Sequence, residues 1–342
     1  MKGNKPDLSA LKSALVSVEA CIKNCAKNPL VILESTVYPG TTEEVALPIL
    51  EKHGLKAGKD FELGHCPERV DPGNKKFGIH NIPRVACCTT KEGCLRAKEF
   101  YSRIVDAEIT ILDSIIAVEA VKVFENTFRD INIAYVNDLA KGFDKMGIDI
   151  KEVIRGASTK PFGFMPFFPG PGVGGHCIPK DPCYLIASSK KAGFTPKFLE
   201  LARKINRSMP AYVVEIIRDE FRKKKFSFAK QKICILGLSF KPEIDDVRDS
   251  PAWEIISLLK KKKAGLKIFD PFVPAESTAK SLEEAVSGCS CIVLCTHHKQ
   301  FIEKLAPEFL KSRNIAVIID TRNCLDKKGI IERGILYRGI GS

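Results

Sequence analysis

The 342-residue sequence contains no apolar run close to the ~20 residues that a membrane-spanning helix needs. Its first residues lack the apolar core of a signal peptide, so neither export nor a membrane location is expected. Thirteen cysteines are present, but no two are spaced C-x-x-C, which argues against a structural zinc site. We therefore expect a cytoplasmic protein without a metal centre, whose cysteines are thiols rather than disulfides.

Acidic residues are outnumbered, since 41 Asp and Glu stand against 54 Lys and Arg, a net charge of +13. Part of the excess lies in two lysine-rich runs, residues 222–225 and 260–263. Neither run alternates with aromatic residues or belongs to a known nucleic-acid-binding module, so no nucleic-acid partner is expected. The two lysine-rich runs fit a solvated surface. A basic cleft, if the fold forms one, would fit a small anionic substrate at least as well as a nucleic acid.

Short apolar runs alternate with helical periodicity at both ends of the chain, which predicts α/β structure with parallel sheets. The middle of the chain predicts long helices over residues 115–146 and 198–225, the first broken once near Gly142. The predicted strands are residues 30–33, 61–65 and 108–112, then 232–238, 266–269, 290–295 and 315–320. The sequence thus predicts two doubly wound, Rossmann-like lobes joined by a helical waist, with segments at residues 1–113, 114–225 and 226–342.

The sharpest local signal is the glycine-rich segment GGHCIPKDP at residues 174–182, which follows an apolar Pro/Gly-rich loop. Glycines let a backbone approach a ligand closely. Cys177 in this segment is a candidate nucleophile, with Lys180 lowering its pKa. Taken alone, the segment fits a buried structural cysteine equally well.

Five further segments, in order, change that balance. They are ESTVYPGTT (34–42), CPERVDPG (66–73), EAVKVFENTFR (119–129), GLSFKP with DDVRDSP (237–251) and DTRN (320–323). Together with the cysteine loop, they resemble the nucleotide-sugar 6-dehydrogenases, which comprise UDP-glucose, UDP-N-acetylhexosamine and GDP-mannose dehydrogenases. The resemblance covers nearly the whole chain.

The resemblance implies an NAD-dependent enzyme that oxidises the C6 hydroxyl of a UDP-sugar twice, ending at a carboxylate. Cys177 then adds to the intermediate aldehyde and carries the sugar as a thiohemiacetal and as a thioester. By the same resemblance, Lys122 stabilises the developing oxyanion and Asn126 donates a hydrogen bond to the same oxygen. A homodimer built on the helical waist is also implied.

The remaining roles are likewise implied by the resemblance. Asp181 orients Lys122 and a water, Glu68 is the general base of thioester hydrolysis, and Thr36 lies beside the nicotinamide. The implied NAD contacts are Thr36, Lys180 and Arg248. The implied substrate contacts are Glu68, Arg69, Val70, Lys122, Asn126, Gly174, Lys241 and Arg322.

Each residue has a plainer reading from the sequence alone. Lys122 and Asn126 are four apart, so they would form a surface pair on one helical face. Glu68 would be a solvated loop carboxylate, and Lys241 and Arg248 would be ordinary cationic loop residues. His297 and His298 fit a turn after a strand better than a metal site.

Two features of the sequence bear on which sugar is oxidised and on whether the NAD-binding domain is complete. The loops around Glu68 and Cys177 look closest to the UDP-N-acetylglucosamine or UDP-N-acetylmannosamine branch, and Pro72 stands where UDP-glucose enzymes carry a second glutamate. The family's G-x-G-x-x-G turn is absent near the start, where residues 5–9 resemble a segment that the family places downstream of it. A UDP-glucose 6-dehydrogenase is the alternative within the family.

From the missing turn we expect residues 1–113 to be the incomplete remnant of an NAD-binding domain, lacking roughly 80 to 100 residues. Residues 114–225 would be the central dimerisation domain with the cysteine loop, and residues 226–342 the UDP-sugar-binding domain. A separate polypeptide would then supply the missing half. The alternative is a catalytically impaired protein that binds nucleotide-sugar without turning over NAD.

Overall fold

The computed structural model describes residues 7–25, 27–71, 73–74 and 76–342, so the start of the 5–9 segment and Pro72 lie outside the described residues. The chain forms two compact units. The first unit comprises residues 1–128 with 180–197, and the second comprises residues 129–179 with 198–342. The three-segment division expected from the sequence places its boundaries elsewhere and stays a prediction.

The sheet of the first unit runs in the order β1-β2-β3-β4. Strands β1 and β2 are parallel, and so are β3 and β4, but β2 and β3 are antiparallel. The expectation of a wholly parallel sheet is therefore wrong here, because the described residues between β2 and β3 form an irregular return instead of a helical crossover. The strands are Leu30–Leu33, Glu62–His65, Arg84–Cys88 and Ile109–Ile111.

Helices cover both faces of this sheet. Leu15 and Ile22 of α1 pack with Leu50 of α2 and Leu63 of β2 in one buried cluster. Tyr101 of α3 packs on the other face with Ala86 of β3. The helices are α1 (Ser9–Lys23), α2 (Leu47–Leu50, preceded by a π-helical turn at Thr42–Ala46), α3 (Lys91–Ser102), the start of α4 (Ile115–Met146) and, later in the chain, α6 (Asp181–Lys191).

Helix α4 is continuous over Ile115–Met146, so the expected break near Gly142 is wrong. A Cβ at Gly142 would meet no atom within 4 Å, so this glycine lies on an open face and does not distort the helix. Residues up to 128 of this helix belong to the first unit, and residues from 129 belong to the second. Helices α5 (Ile150–Ala157) and α7 (Lys197–Lys223) complete the helical part of the chain.

Buried polar contacts join α4 and α7 within the second unit. Arg203 pairs with Asp130 at 2.5 Å, and both side chains are almost fully buried. Asn206 donates to the carboxylate and the carbonyl of Asp130 at 2.8 and 2.9 Å, and Asn137 donates to Asn206 at 3.0 Å. A buried charge without its partner is strongly destabilising, so this network fixes the register of the two helices.

The C-terminal sheet confirms the prediction of a doubly wound parallel sheet. Its order is β6-β5-β7-β8-β9, and every neighbouring pair is parallel. Cys234 and Cys291 of these strands and Cys295, just after β7, are buried, and burial raises the pKa of Cys295 to about 12. The strands are Lys232–Leu236, Gly265–Phe269, Cys291–Leu294, Val317–Asp320 and Leu336–Gly339. The helices are α8 (Pro251–Lys261), α9 (Leu282–Val286), α10 (Lys299–Lys304), α11 (Pro307–Ser312) and α12 (Lys327–Glu332).

None of the helices in the described part of the chain combines the length and the apolar character needed to cross a membrane.

Candidate active site

The carboxyl edge of the first sheet gathers two of the sequence motifs. Strands β1 and β2 are parallel and end in register at Leu33 and His65. Beyond the strands, Cys66 N–H donates to Leu33 at 2.9 Å and Glu68 N–H donates to Glu34 at 3.2 Å. In open α/β sheets ligands bind at this edge. The half-buried Thr36 and Glu68 thus leave the sheet on the same side.

The carboxylate of Glu68 is fixed by three donors. Its Oε1 accepts from the N–H groups of Arg69 and Val70 at 2.6 and 2.7 Å. Its Oε2 accepts from Nη2 of Arg84 at 2.9 Å. Burial alone would raise the pKa of Glu68, but the Val70 hydrogen bond and the Arg84 charge lower it below its ordinary value. Glu68 is therefore a partly solvated loop carboxylate, as the plainer reading has it, but one that three donors hold in place.

The Arg69 side chain contacts Glu125 and the backbone of Pro83. Its Nη2 pairs with Glu125 of α4 at 2.5 Å, and its Nη1 donates to the carbonyl of Pro83 at 2.8 Å. The loop that carries Glu68, Arg69 and Val70 is thereby tied to α4 and to the start of β3.

Glu119 holds the turn that follows β1. Its carboxylate accepts from the N–H of Gly40 at 2.5 Å and from the N–H and hydroxyl of Thr42 at 2.7 and 2.6 Å. The motif around Glu119 was visible in the sequence, but this contact was not, because it joins residues nearly eighty positions apart. The amides that open the π-helical turn are therefore already occupied by the chain's own carboxylate.

Lys122 and Asn126 lie one turn apart on α4 and are buried, with 8% and 0% of their surfaces exposed. The reading of a surface pair is therefore wrong. Asn126 Nδ2 donates to Oδ2 of Asp181, the first residue of α6, and Asp181 is also buried. The first unit thus brings together three of the predicted catalytic side chains where α4 meets the start of α6.

Cys177 lies in the second unit, in the irregular segment that follows the glycine-rich loop, and its side chain is exposed. Exposure excludes the buried structural cysteine. Gly175 N–H donates to the carbonyl of Arg248 at 2.8 Å, and Gly170 N–H donates to Asn137 Oδ1 at 2.9 Å. These two bonds anchor the loop at Gly170 and at Gly175.

The loop is packed so closely that two of its glycines, Gly170 and Gly174, leave no room for a side chain. A Cβ at Gly174 would lie 2.6 Å from Phe240 Cβ and 3.0 Å from the carbonyl oxygen of Asp249. A Cβ at Gly170 would lie 2.8 Å from Nη1 of Arg322. The loop therefore rests directly on the DDVRDSP and DTRN motifs, and it brings Gly174 and Arg322 to one edge of the second sheet.

Arg248 of the second unit is a cation close enough to Cys177 to attract a negative charge there. Its pKa is raised, chiefly by hydrogen bonds from its guanidinium to Asp246 and also by its attraction to Cys177. Nε lies 2.9 Å from Asp246 Oδ1, and Nη2 lies 2.6 Å from Oδ2. Lys180, which the sequence predicted as the activating cation, belongs to the first unit, and its role stays a prediction.

A buried pair that the sequence reading missed supports the turn of Lys241. Asp270 accepts from the N–H groups of Leu238 and Ser239 at 2.6 and 3.0 Å, and its carboxylate lies 3.2 Å from Nε2 of His298. Ser239 Oγ in turn donates to the carbonyl of Lys241 at 2.9 Å. His298 was read as part of a turn after a strand, since nothing in the sequence linked it to Asp270.

Arg322 follows β8, and hydrogen bonds hold both its side chain and its backbone. Its Nε donates to the carbonyl of Cys295 at 2.8 Å, and its N–H donates to Asp320 at 3.1 Å. Burial lowers the pKa of Arg322. Within the described residues, no cluster of three or more His, Cys, Asp or Glu side chains is arranged to hold a metal ion.

Comparison with known proteins identifies the family. Models of the UDP-glucose/GDP-mannose dehydrogenase family match the chain with the NAD binding domain at residues 1–105, the central domain at 117–208 and the UDP binding domain at 234–327. The chain belongs to this family. It is an enzyme, a nucleotide-sugar dehydrogenase that uses NAD.

Its relatives include two N-acetylhexosamine enzymes. The UDP-N-acetyl-D-mannosamine dehydrogenase of Pyrococcus horikoshii is 36% identical over 100% of this chain and 78% of its own length. The UDP-N-acetyl-D-glucosamine 6-dehydrogenase of Pseudomonas aeruginosa is 36% identical over 94% of this chain and 77% of its own length. The solved structure of the Pyrococcus horikoshii UDP-D-ManNAc dehydrogenase superposes with a TM-score of 0.90 at 34% identity, covering 100% of this chain and 78% of that one.

The expectation of an incomplete N-terminal lobe is not supported, because the model of the NAD binding domain matches residues 1–105. That expectation depended on one short motif.

The packing of Gly174 predicts the effect of a single methyl group. Gly174→Ala should destabilise the second unit by about 1–3 kcal/mol and lower turnover, because the Asp249 backbone and Phe240 cannot both move aside. Gly156→Ala on α5 is the matched control, since its Cβ would meet nothing within 4 Å. Thermal unfolding and initial rates measure both variants. Equal behaviour of the two would contradict the packing account.

The Asp246–Arg248 pair predicts the reactivity of Cys177. Arg248→Gln should slow alkylation of Cys177 by iodoacetamide at pH 7 by about five-fold. This factor corresponds to the interaction energy of the thiolate with one nearby, solvent-exposed charge. The rate is read from the Cys177 peptide by mass spectrometry. Lys261→Gln removes the same charge at the opposite end of the sheet and should leave the rate unchanged. An unchanged rate in Arg248→Gln would show that this cation does not stabilise the thiolate.

Proposed function

We propose that this enzyme oxidises the C6 hydroxyl of a UDP-N-acetylhexosamine in two steps to the uronic acid, through a thioester on Cys177. The observation that carries the proposal is an exposed cysteine held in a tightly packed glycine loop, in a chain that also buries Lys122, Asn126 and Asp181. The names of the relatives support the N-acetylhexosamine class, since they act on UDP-N-acetyl-D-mannosamine and UDP-N-acetyl-D-glucosamine.

The chemistry requires a thiolate between two oxidations. In each oxidation NAD, when bound, would serve as the hydride acceptor. After the first, the Cys177 thiolate attacks the aldehyde carbon, and the carbonyl oxygen takes up a proton to give a thiohemiacetal. After the second, water attacks the thioester, the C–S bond breaks and the thiolate returns. One alcohol, two NAD⁺ and one water thus give one carboxylate, two NADH and three protons.

The buried side chains of the first unit suit the polar part of this reaction. The Lys122 ammonium and the Asn126 amide stabilise negative charge on the C6 oxygen, which has little water to do so at a buried site. Asp181 accepts from Asn126, which fixes the amide with its N–H groups as donors. Glu68 lies at the sheet edge as an ionised carboxylate and directs the hydrolytic water.

Thr36 at the edge of the first sheet and Lys180 of the same unit are the proposed contacts for the nicotinamide end of the cofactor, and Arg248 of the second unit is a further proposed NAD contact. The first turn after β1 does not hold the cofactor's phosphates, because Glu119 already accepts from the amides of Gly40 and Thr42. Negative phosphate near that carboxylate would also be repelled.

Cations of the second unit suit the UDP diphosphate. Lys241 and Arg322 follow β5 and β8, so both leave the carboxyl edge of the C-terminal sheet. Gly174 lets the loop backbone approach the same ligand. The proposed sugar contacts are Glu68, Arg69, Val70, Lys122 and Asn126. We place the enzyme in the cytoplasm, where its buried thiols stay reduced.

We also propose a homodimer that forms along α4. Phe124, Phe128 and Tyr135 are 68%, 44% and 63% exposed. Their spacings of four and seven residues put them on one face of the helix. A continuous aromatic stripe on a helix is typical of a protein–protein interface.

Removing this stripe tests the dimer. The double variant Phe124→Glu with Phe128→Glu should be monomeric by light scattering coupled to gel filtration, because charges would have to be buried at the interface. Phe194→Glu is the control, since Phe194 is 66% exposed but lies off α4. A wild-type monomer, or a double variant that remains dimeric, would contradict the proposal.

Turnover tests the proposed reaction. With UDP-N-acetylmannosamine or UDP-N-acetylglucosamine and NAD, the enzyme should form two NADH per sugar, at a higher kcat/KM than with UDP-glucose. Cys177→Ala should abolish uronic acid formation, because no thioester can form. One NADH per sugar, or full activity in Cys177→Ala, would exclude the covalent route. A preference for UDP-glucose would exclude the proposed substrate class.

A further inference from the structure

We infer that Arg84 is a positioning residue of the active site, whose guanidinium fixes the Glu68 carboxylate in one ionised orientation at the edge of the first sheet. Arg84 belongs to no motif in the sequence. The inference rests on the proposed function for its catalytic consequence, but the contact itself is independent of that function.

The contacts of Arg84 make it a bridge between two motifs. Its Nη2 lies 2.9 Å from Glu68 Oε2, and its Nη1 lies 3.3 Å from Glu34 Oε1. Glu34 stands in the ESTV motif after β1, and Glu68 stands in the CPER motif after β2. One buried cation at the start of β3 therefore ties together the two loops that leave the carboxyl edge of β1 and β2.

The Arg84 guanidinium is enclosed by neighbouring side chains. The Arg84 side chain is only 7% exposed, whereas those of Glu34 and Glu68 are 49% and 43% exposed. Its guanidinium lies over the ring of Tyr101, 5.0 Å from the centroid, and the Tyr101 hydroxyl donates to Glu34 Oε1 at 2.7 Å. The arginine is thus held between an aromatic ring and two carboxylates that reach outward from it.

Stability alone does not explain this arginine. Nε of Arg84 is buried and has no hydrogen-bond partner in the part of the chain that the structure describes. An unsatisfied buried donor destabilises a protein, by about 1–3 kcal/mol. An apolar residue at this strand position would avoid that loss. What the arginine adds is a fixed carboxylate at a sheet edge where ligands bind.

The bridge decides what Glu68 can do. A carboxylate has about four acceptor positions, and three of those on Glu68 are filled by Arg69, Val70 and Arg84. The remaining position can accept one further hydrogen bond, from a water or from a substrate hydroxyl. Glu68 then orients that water while staying ionised, because all three protein contacts favour its charged form.

The groups packed against Arg84 decide which of its neighbours change charge in the acid range. Cys66 Sγ lies 4.0 Å from Nη1, and burial raises the pKa of the Cys66 thiol. Burial also raises the pKa of Tyr101. Both groups are therefore neutral at acid and neutral pH. Glu34 is the other carboxylate on the bridge, and Arg69 is already paired with Glu125. Controls at Glu34 and Tyr101 are thus needed.

The test compares Arg84→Gln with Tyr101→Phe and Glu34→Gln, which leave the Arg84–Glu68 contact in place. The pKa of Glu68 is depressed in the wild type, so activity that needs its charge disappears only at low pH. Arg84→Gln should move the acid limb of kcat to higher pH and lower kcat at pH 7 by at least about ten-fold. KM for the UDP-sugar should change far less, and Arg84→Lys should restore part of the activity.

A double variant shows whether Arg84 acts through Glu68. In a Glu68→Gln background, adding Arg84→Gln should lower kcat little further, because the partner it positions is gone. An unchanged acid limb in Arg84→Gln, an equal shift in Tyr101→Phe or Glu34→Gln, or fully additive losses would each overturn the inference.

A measurement without catalysis separates this inference from the proposed function. Carbon-13 NMR of protein labelled at the glutamate carboxyl carbons follows Glu68 directly, with its signal identified by loss in Glu68→Gln. The midpoint of the Glu68 titration should rise in Arg84→Gln and stay unchanged in Tyr101→Phe. A wild type that forms no NADH would refute the function, whereas an unmoved midpoint would refute the role of Arg84. If Arg84→Gln fails to fold, Arg84→Lys should still give a smaller rise, and no rise there would count against the inference.

Discussion

Parallel strands that end at a common edge are the constraint on which both candidate sites depend. In the first unit, β1 and β2 end together and bring Glu34, Thr36 and Glu68 to one side of the sheet. In the second unit, β5, β7 and β8 end together and bring the Lys241 turn, His298 and Arg322 to one edge. Motifs that lie far apart in the sequence are adjacent because the strands between them share a direction.

Buried polar contacts then give each loop one conformation. Glu119 fastens the turn after β1 to α4, and the Asp270–His298 pair fastens the turn that carries Lys241. Asn137 and Arg248 anchor the glycine loop before Cys177. In each case a side chain binds backbone groups of a loop that would otherwise need water. Residues with little chemistry of their own thus position those that react, in the way a preorganised site requires.

The sequence was sufficient for the class of fold and for the residues that motifs contain. Periodicity predicted the parallel C-terminal sheet and the two long helices, and the motifs pointed to Cys177 and Asn126. Periodicity alone could not show that Lys122 and Asn126 are buried, because burial depends on what packs against a helix face. The antiparallel return before β3 was missed, since an irregular loop has no period. Arg84 and His298 were missed because their partners are distant in sequence.

A covalent sugar on Cys177 is the central claim of this account. The most direct measurement is mass spectrometry of Glu68→Gln, quenched in acid after mixing with NAD and UDP-N-acetylmannosamine or UDP-N-acetylglucosamine. Slower hydrolysis should leave the sugar nucleotide attached, as an acyl group, to the peptide that contains Cys177. Turnover without any adduct on Cys177, or an adduct on another cysteine such as the exposed Cys21, would contradict the claim.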